Sequence, residues 1–270
     1  MMNQREVNKR VFKDTGIQLT YNELLRKCVG HGVINQKLYL EGEEISIPES
    51  KGISCNTVVS KKRTFEAAKP YADEKKRVCV LNFASATRPG GGVINGSSAQ
   101  EECLCRTSSL YPCLADKKMI LNFYEPHKKN WSTFNNDDII YTPDVGVFKT
   151  DTDSPEMMDE EDWFTSDVIT CAAPNLSGLM KPVEASELIR IYEKRMDRIF
   201  RVAIVNKVDV LILGAFGCGV FANDPKLIAE SFRNVQKKYE GYFETIEYAV
   251  YCRPGNTENY EVFQSVFSQK

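Results

Sequence analysis

Strands alternating with helices along most of the chain predict an α/β layered fold with a largely parallel sheet. Three observations carry this. The apolar runs Val78–Phe83 and 208–213 are short and nearly unbroken, as buried strands are. Each leads into a glycine-rich loop and then a helix start, at 97–102 and at Asp224-Pro225. Between them, Leu188, Tyr192, Met196, Ile199 and Ala203 recur at three- and four-residue spacing, the period of an amphipathic helix.

In chain order, residues 3–13 read as a helix with Val7, Val11 and Phe12 on its apolar side, stopped by Gly16. Thr20 and Glu23 fit a capping box opening a second helix that ends near Gly30. With the segment 38–47 these form an N-terminal helical extension, residues 1–60, that acts as a packing unit without chemistry. Residues 61–270 form the second, larger domain. Residues 55–60 read as a strand and 64–69 as a short helix ended near Pro70. The helix after the central strand carries two capping-box pairs, Ser97 with Gln100 and Ser98 with Glu101, and extends to about Ser109. Residues 118–136 are part helix; 139–141 and 145–148 are short strands around a Thr142-Pro143-Asp144 turn. The acidic stretch 150–162 reads as a mobile surface loop, and 167–173 as a strand. Asp224 and Pro225 open a helix to about Tyr239, followed by a last strand at 246–252 and a last helix at 258–267.

A chain of 270 residues buries one large core or two small ones. Apolar residues at 42% and charged residues at 27% fit a globular, water-soluble chain rather than a disordered one. A formal net charge of −2 leaves no basic footprint, so direct nucleic-acid binding is not expected. No apolar run approaches the roughly 18 to 20 residues of a membrane span. The first residues carry no apolar signal segment, so a cytoplasmic location is expected. Nine cysteines, an odd and scattered set, fit reduced thiols better than a disulfide framework. Cys103 and Cys105 form C-x-C rather than C-x-x-C, and only His31 and His127 accompany them, so no metal site is expected.

The chemistry concentrates between Val78 and Tyr111. Gly90, Gly91 and Gly92 are entropically costly in a row, which points to special backbone angles or a backbone approaching a ligand. Gln100, Glu101 and Glu102 then open a helix, placing two carboxylates at its mouth. A helix N-terminus with an acid or base beside it suits a phosphorylated ligand. A second glycine loop, Gly214-Ala215-Phe216-Gly217-Cys218-Gly219-Val220-Phe221, lies between a buried strand and a capped helix, where amides receive anionic oxygens. Each feature has a plainer reading. Acidic residues favour any first turn, a glycine loop can be a turn only, Phe221 can be core, and Asn82 can merely end its strand. Neither loop matches G-x-G-x-x-G or the P-loop, and no G-x-S-x-G elbow is present.

The spacing Gly90-Gly91-Gly92, seven residues, Gln100-Glu101-Glu102, with Asn82-Phe83-Ala84 before it and Ser108-Ser109-Leu110-Tyr111-Pro112 after it, resembles the signature of bacterial-type poly(ADP-ribose) glycohydrolases. The likeness runs from about Thr64 to the C-terminus. It implies a three-layer α/β/α macrodomain with a mixed, largely parallel sheet, and hydrolysis of the ribose–ribose O-glycosidic bond of poly(ADP-ribose). By this resemblance Glu102 is the general acid/base, and Glu101 and Gln100 are ribose-facing supports. Gly90, Gly91 and Gly92 border the substrate. Gly217, Cys218, Gly219 and Val220 hold the diphosphate, Phe221 packs on the terminal ribose, and Asn82 lies near the adenine end. The implied partners are poly(ADP-ribose) or ADP-ribosylated macromolecules, with ADP-ribose as product and no cofactor or metal. One physical difficulty stands: a helix N-terminus lowers a carboxyl pKa, whereas a general acid at neutral pH needs it raised. Two rivals share the fold, a mono-ADP-ribosyl hydrolase and a non-catalytic ADP-ribose-binding module. The intact Gln-Glu-Glu argues against the second, because binding alone needs no carboxylate beside the ribose.

Overall fold

A computed structural model describes residues 3–268. Asn3 caps α1 (Gln4–Tyr21) by accepting from the Arg5 amide. The helix runs through Gly16, the expected stop, because Thr15 and Leu19 beside it are buried. One glycine costs a helix only about 1 kcal/mol, which such packing outweighs. Asn22, not the Thr20 capping box, opens α2 (Glu23–Asn35): its side chain accepts from the amides of Leu24 and Leu25. Thr20 instead donates back to the Gly16 carbonyl. Helix α2 continues past Gly30 to dock closely through Gly32, whose Cβ position lies 2.8 Å from the Cys113 sulfur.

Residues 1–60 contribute more than helices. Strands β1 (Lys37–Tyr39) and β2 (Asn56–Ser60) are the two edges of a single seven-stranded sheet. There follow α3 (Thr64–Asp73), β3 (Val78–Phe83), α4 (Gln100–Thr107) and α5 (Leu110–Leu114). Next come α6 (Lys117–Met119), a π-turn at Ile120–Tyr124, α7 (Glu125–Lys129), β4 (Ile139–Val147) and β5 (Phe164–Cys171). The chain ends with α8 (Ala185–Val205), β6 (Val210–Leu213), α9 (Pro225–Gln236), β7 (Thr245–Ala249) and α10 (Glu258–Ser268). Strand order is β1-β4-β5-β3-β6-β7-β2. The run β5-β3-β6-β7-β2 is parallel; β4 is antiparallel to β5, and β1 to β4. The expected mixed, largely parallel sheet is therefore what forms.

Alternation along β3 separates two cores. Cys79 and Leu81 face the side packed by Ile199, Phe232 and Phe263 of α8, α9 and α10. Val78 and Val80 face the side packed by Phe65, Leu104 and Leu110 of α3, α4 and α5. This makes three layers, with α1 and α2 lying outside α4, α5 and β4. The carboxyl ends of β3 and β6 lie side by side, so the two glycine loops emerge from neighbouring strands.

Several local expectations give way to tertiary contacts. Helix α3 carries Pro70 inside it rather than ending there. Helix α4 stops at Thr107, because Ser108 is extended and bridges to Val147. The expected pair of short strands is one strand, β4, with an irregularity between Thr142 and Val145. There Asp144 adopts φ 51°, and its amide donates to Asp167 at 2.9 Å. The acidic stretch is pinned, not loose: Lys149 pairs with Met157, and Asp151 accepts from the Phe65 amide at 3.1 Å. Among the described residues no helix is long and apolar enough to cross a membrane.

Candidate active site

The triple glycine turns the chain through angles that side chains rarely adopt. Gly90 and Gly91 have φ of 64° and 57°. A side chain at Gly91 would sit 2.5 Å from Oε1 of Glu102 and 2.9 Å from Oε2 of Glu101. At Gly92 it would meet the Ser97 hydroxyl at 2.4 Å, and at Gly90 the Tyr111 ring at 2.8 Å. The glycines are thus what lets this backbone lie against two carboxylates.

Helix α4 has Ala99 at its N-cap with no side-chain cap, so neither serine capping box forms. Its first three side chains instead reach back along the chain in three directions, as their 100° helical offsets require. Gln100 accepts from the Phe83 amide at 2.8 Å and donates to the Leu81 carbonyl at 2.7 Å, joining the helix to β3. Glu101 Oε2 accepts from the Ser85 amide at 2.7 Å. Glu102 Oε1 accepts from the Gly92 amide at 2.7 Å. The fixed interval between glycines and Gln-Glu-Glu is the length of chain that these three contacts close.

Both carboxylates are nearly sealed, Glu101 at 3% and Glu102 at 7% exposed. Each keeps one buried oxygen without a protein partner, Oε1 of Glu101 and Oε2 of Glu102. Burial pushes the Glu101 carboxyl up to about 8, and the neighbouring Glu102 charge adds to the rise. The Ser85 amide and the Asn82 side chain oppose it. At Glu101 desolvation therefore outweighs the stabilisation of charge expected at a helix N-terminus, and this carboxyl holds its proton at neutral pH. Asn82 is fully buried beside Glu101, with its amide donating to Thr170 at 3.2 Å and its carbonyl oxygen unpartnered.

The second glycine loop follows β6. Gly214 approaches the Ala249 carbonyl, where a side chain would sit 2.6 Å away, and Gly217 turns at φ 82°. Among the described residues, the amides of Gly219, Val220 and Phe221 donate to no protein acceptor. Consecutive free amides next to a helix start receive an anion well. Asp224 closes the loop as N-cap of α9, accepting from the amides of Lys226 and Leu227. The Cys218 sulfur turns back to the Phe216 carbonyl, and burial raises its thiol pKa well above the usual range.

A cavity of about 720 Å³ lies between these parts, lined by Gln100, Gly217, Gly219, Val220 and Phe221. That volume falls in the range of small-ligand sites. Glu101, Glu102, Asn82, Cys218 and the triple glycine are not among its lining residues. The lining also includes Arg63, whose guanidinium lies over the Tyr251 ring at 3.8 Å, and Asp151. Burial raises the Asp151 carboxyl pKa above its ordinary value.

The family model described as "Microbial-type PARG, catalytic domain" matches residues 13–150, just over half of the 270. The chain belongs to the microbial-type poly(ADP-ribose) glycohydrolase family. Comparison with curated proteins gives no match. Among solved structures, the glycohydrolase of Thermomonospora curvata is 27% identical with a TM-score of 0.85, over 96% of this chain and 99% of that one. The same enzyme bound to the inhibitor ADP-HPD gives 27% identity and 0.83, over 96% and 98%. The glycohydrolase of Deinococcus radiodurans in complex with ADP-ribose is 28% identical with a TM-score of 0.75, over 89% of this chain and 96% of that one.

Within this glycohydrolase fold several site residues carried no local signal in sequence. Ser85 gives only an amide, and Arg63, Asp151 and Tyr251 meet the cavity from distant segments, whereas Tyr111, part of the recognised signature, packs its ring edge against Gly90. Arg63 had one available clue, since it immediately precedes the helix start at Thr64.

Proposed function

We propose that the chain cleaves the ribose–ribose O-glycosidic bond of poly(ADP-ribose), releasing ADP-ribose, with Glu102 as general acid and then general base. One observation carries the reading: Glu102 has one oxygen fixed by the Gly92 amide at 2.7 Å, while Oε2 is buried with no protein partner. A carboxyl so held is oriented, shielded from water and free at one oxygen. In its acid form it gives a proton to the bridging oxygen as positive charge develops at the anomeric carbon. In its base form it takes a proton from the water that attacks that carbon, which restores the acid. Glu101, protonated near neutral pH, offers Oε1 to a ribose hydroxyl and takes no part in the proton transfer.

The second loop holds the diphosphate through the amides of Gly219, Val220 and Phe221, with Phe221 beside the terminal ribose. Gln100 lines the cavity while both ends of its amide bond to protein, so it positions α4 against β3. The experiment is incubation of purified protein with poly(ADP-ribose) and detection of free ADP-ribose. Release from a mono-ADP-ribosylated protein, with the polymer left intact, would replace this substrate with the smaller one. Binding of ADP-ribose with no release from either would leave a binding module.

A further inference from the structure

We infer that Asn223 is a positioning residue that shapes the second glycine loop for a diphosphate; this rests on the proposed role of that loop. Asn223 is 4% exposed. Its Nδ2 donates to the carbonyls of Pro174 at 2.8 Å and Gly217 at 2.9 Å, with Phe221 a further acceptor at 3.3 Å. Its backbone amide also donates to Gly217, at 3.1 Å. One side chain therefore ties both ends of the 217–221 segment to each other and to the connection that follows β5.

The surrounding contacts agree with this role. The Leu176 amide donates to the Phe221 carbonyl at 2.9 Å, so the same connection grips the loop a second time. The connection is itself held, because the Arg195 guanidinium, 1% exposed, donates to the Ala172 carbonyl at 2.7 Å. Gly217 is matched to Asn223: a side chain there would lie 2.8 Å from Nδ2, on top of its φ of 82°. The unbonded amides of Gly219, Val220 and Phe221 lie between the two clamped carbonyls. Closing both ends of so short a segment restricts its backbone angles, and the Ala222 amide, donating to the Gly219 carbonyl at 3.0 Å, fixes the peptide plane that carries the Val220 amide, which orients those donors before a ligand arrives.

The test compares Asn223→Ala, Asn223→Asp and the parent, all as the full chain, by calorimetry with ADP-ribose and with AMP, and by polymer hydrolysis. Removing a buried donor of this kind should weaken ADP-ribose binding about 10- to 100-fold. AMP, which has no diphosphate, should change less than about threefold, and the polymer KM should rise while kcat stays within a similar factor. Asn223→Asp keeps the shape but places acceptors against acceptors and a negative charge by the loop, so its loss should be larger. Unchanged ADP-ribose affinity in Asn223→Asp overturns the inference, even if Asn223→Ala fails to fold. So does equal weakening toward ADP-ribose and AMP, which marks a general structural role. Gly219→Val serves as control. If it weakens ADP-ribose and the Asn223 variants do not, the loop binds diphosphate but Asn223 does not shape it. If Gly219→Val also binds as the parent does, the diphosphate reading itself falls.

Discussion

The Gly92 amide donates to Oε1 of Glu102 at 2.7 Å across ten residues of chain. This bond joins the glycine loop to the helix that carries the candidate acid. It leaves Oε2 as the only oxygen of that carboxyl without a protein partner. Gly91, one residue earlier, has its Cβ position between the two carboxylates. The signature spacing is thus a geometric closure with a chemical result: one oxygen is anchored and one is left to act.

Gly91→Ala should damage both activity and stability. It forces a side chain into φ 57° and drives a methyl to 2.5 Å from Glu102 Oε1. The backbone strain alone costs about 1 to 2 kcal/mol, and displacing the carboxylates should reduce turnover by roughly 10²-fold or more. Gly178→Ala is the comparison, since its φ of 77° is similar but no atom lies within 4 Å of the new methyl. It should show the stability loss by denaturant titration and keep its turnover. Equal turnover in the two variants would mean that the carboxylate contact at Gly91 has no catalytic consequence.

What could be read from sequence was whatever repeats with a local period or a fixed interval. The strands, the long α8 and the glycine-to-glutamate spacing all have that form. What escaped was decided by distant partners. Helix α1 ignores Gly16 because Thr15 donates to the Arg106 carbonyl, 91 residues away. Strand β4 stays continuous because Asp167 receives the amide of its irregular residue Asp144. Asn223 had no signature at all: its acceptor Pro174 lies 49 residues earlier, in a connection whose position only the folded sheet defines. The carboxylates were legible as residues, but the rise of the Glu101 pKa was not, because burial at a helix mouth depends on what covers it.

Glu101→Gln should change how stability depends on pH. The folded carboxyl keeps its proton up to about 8, whereas an ordinary glutamate releases it near 4.5. Between those values the folded state binds more protons than the unfolded state, so stability falls as pH rises, by up to about 1.4 kcal/mol per pH unit. Below the window both states are protonated, and above it both are ionised, so the slope from this group vanishes. Glutamine removes the titration. The variant should therefore gain on the parent steadily as pH rises through the window, measured by urea midpoints across pH. Parallel stability curves for the two proteins would show that Glu101 titrates normally.

Gly219→Val should weaken ADP-ribose while leaving the melting temperature near that of the parent. No protein atom lies within 4 Å of the Cβ position at Gly219, which lines the cavity, so the added side chain occupies ligand space rather than core. Thermal shift without ligand and calorimetry with ligand separate the two effects. A fall in melting temperature as large as the fall in affinity would point to a fold defect instead.

Glu102→Gln should abolish hydrolysis and leave ADP-ribose affinity nearly unchanged. Glutamine keeps the volume, and its amide can keep the Gly92 contact through the carbonyl oxygen, but it cannot pass a proton at neutral pH. Loss of general acid–base catalysis costs about 10²- to 10⁴-fold in rate, or roughly 3 to 5 kcal/mol of barrier. Glu101→Gln should be milder, because a protonated carboxyl and an amide present similar hydrogen-bonding groups to a ribose hydroxyl. If the two glutamates served only the helix N-terminus, each substitution would cost about 0.3 to 1 kcal/mol of stability and no activity. Turnover, affinity and stability measured on the same Glu102→Gln preparation distinguish these outcomes. Full turnover in that variant would remove Glu102 from the chemistry and leave its bond to Gly92 as a purely structural tie.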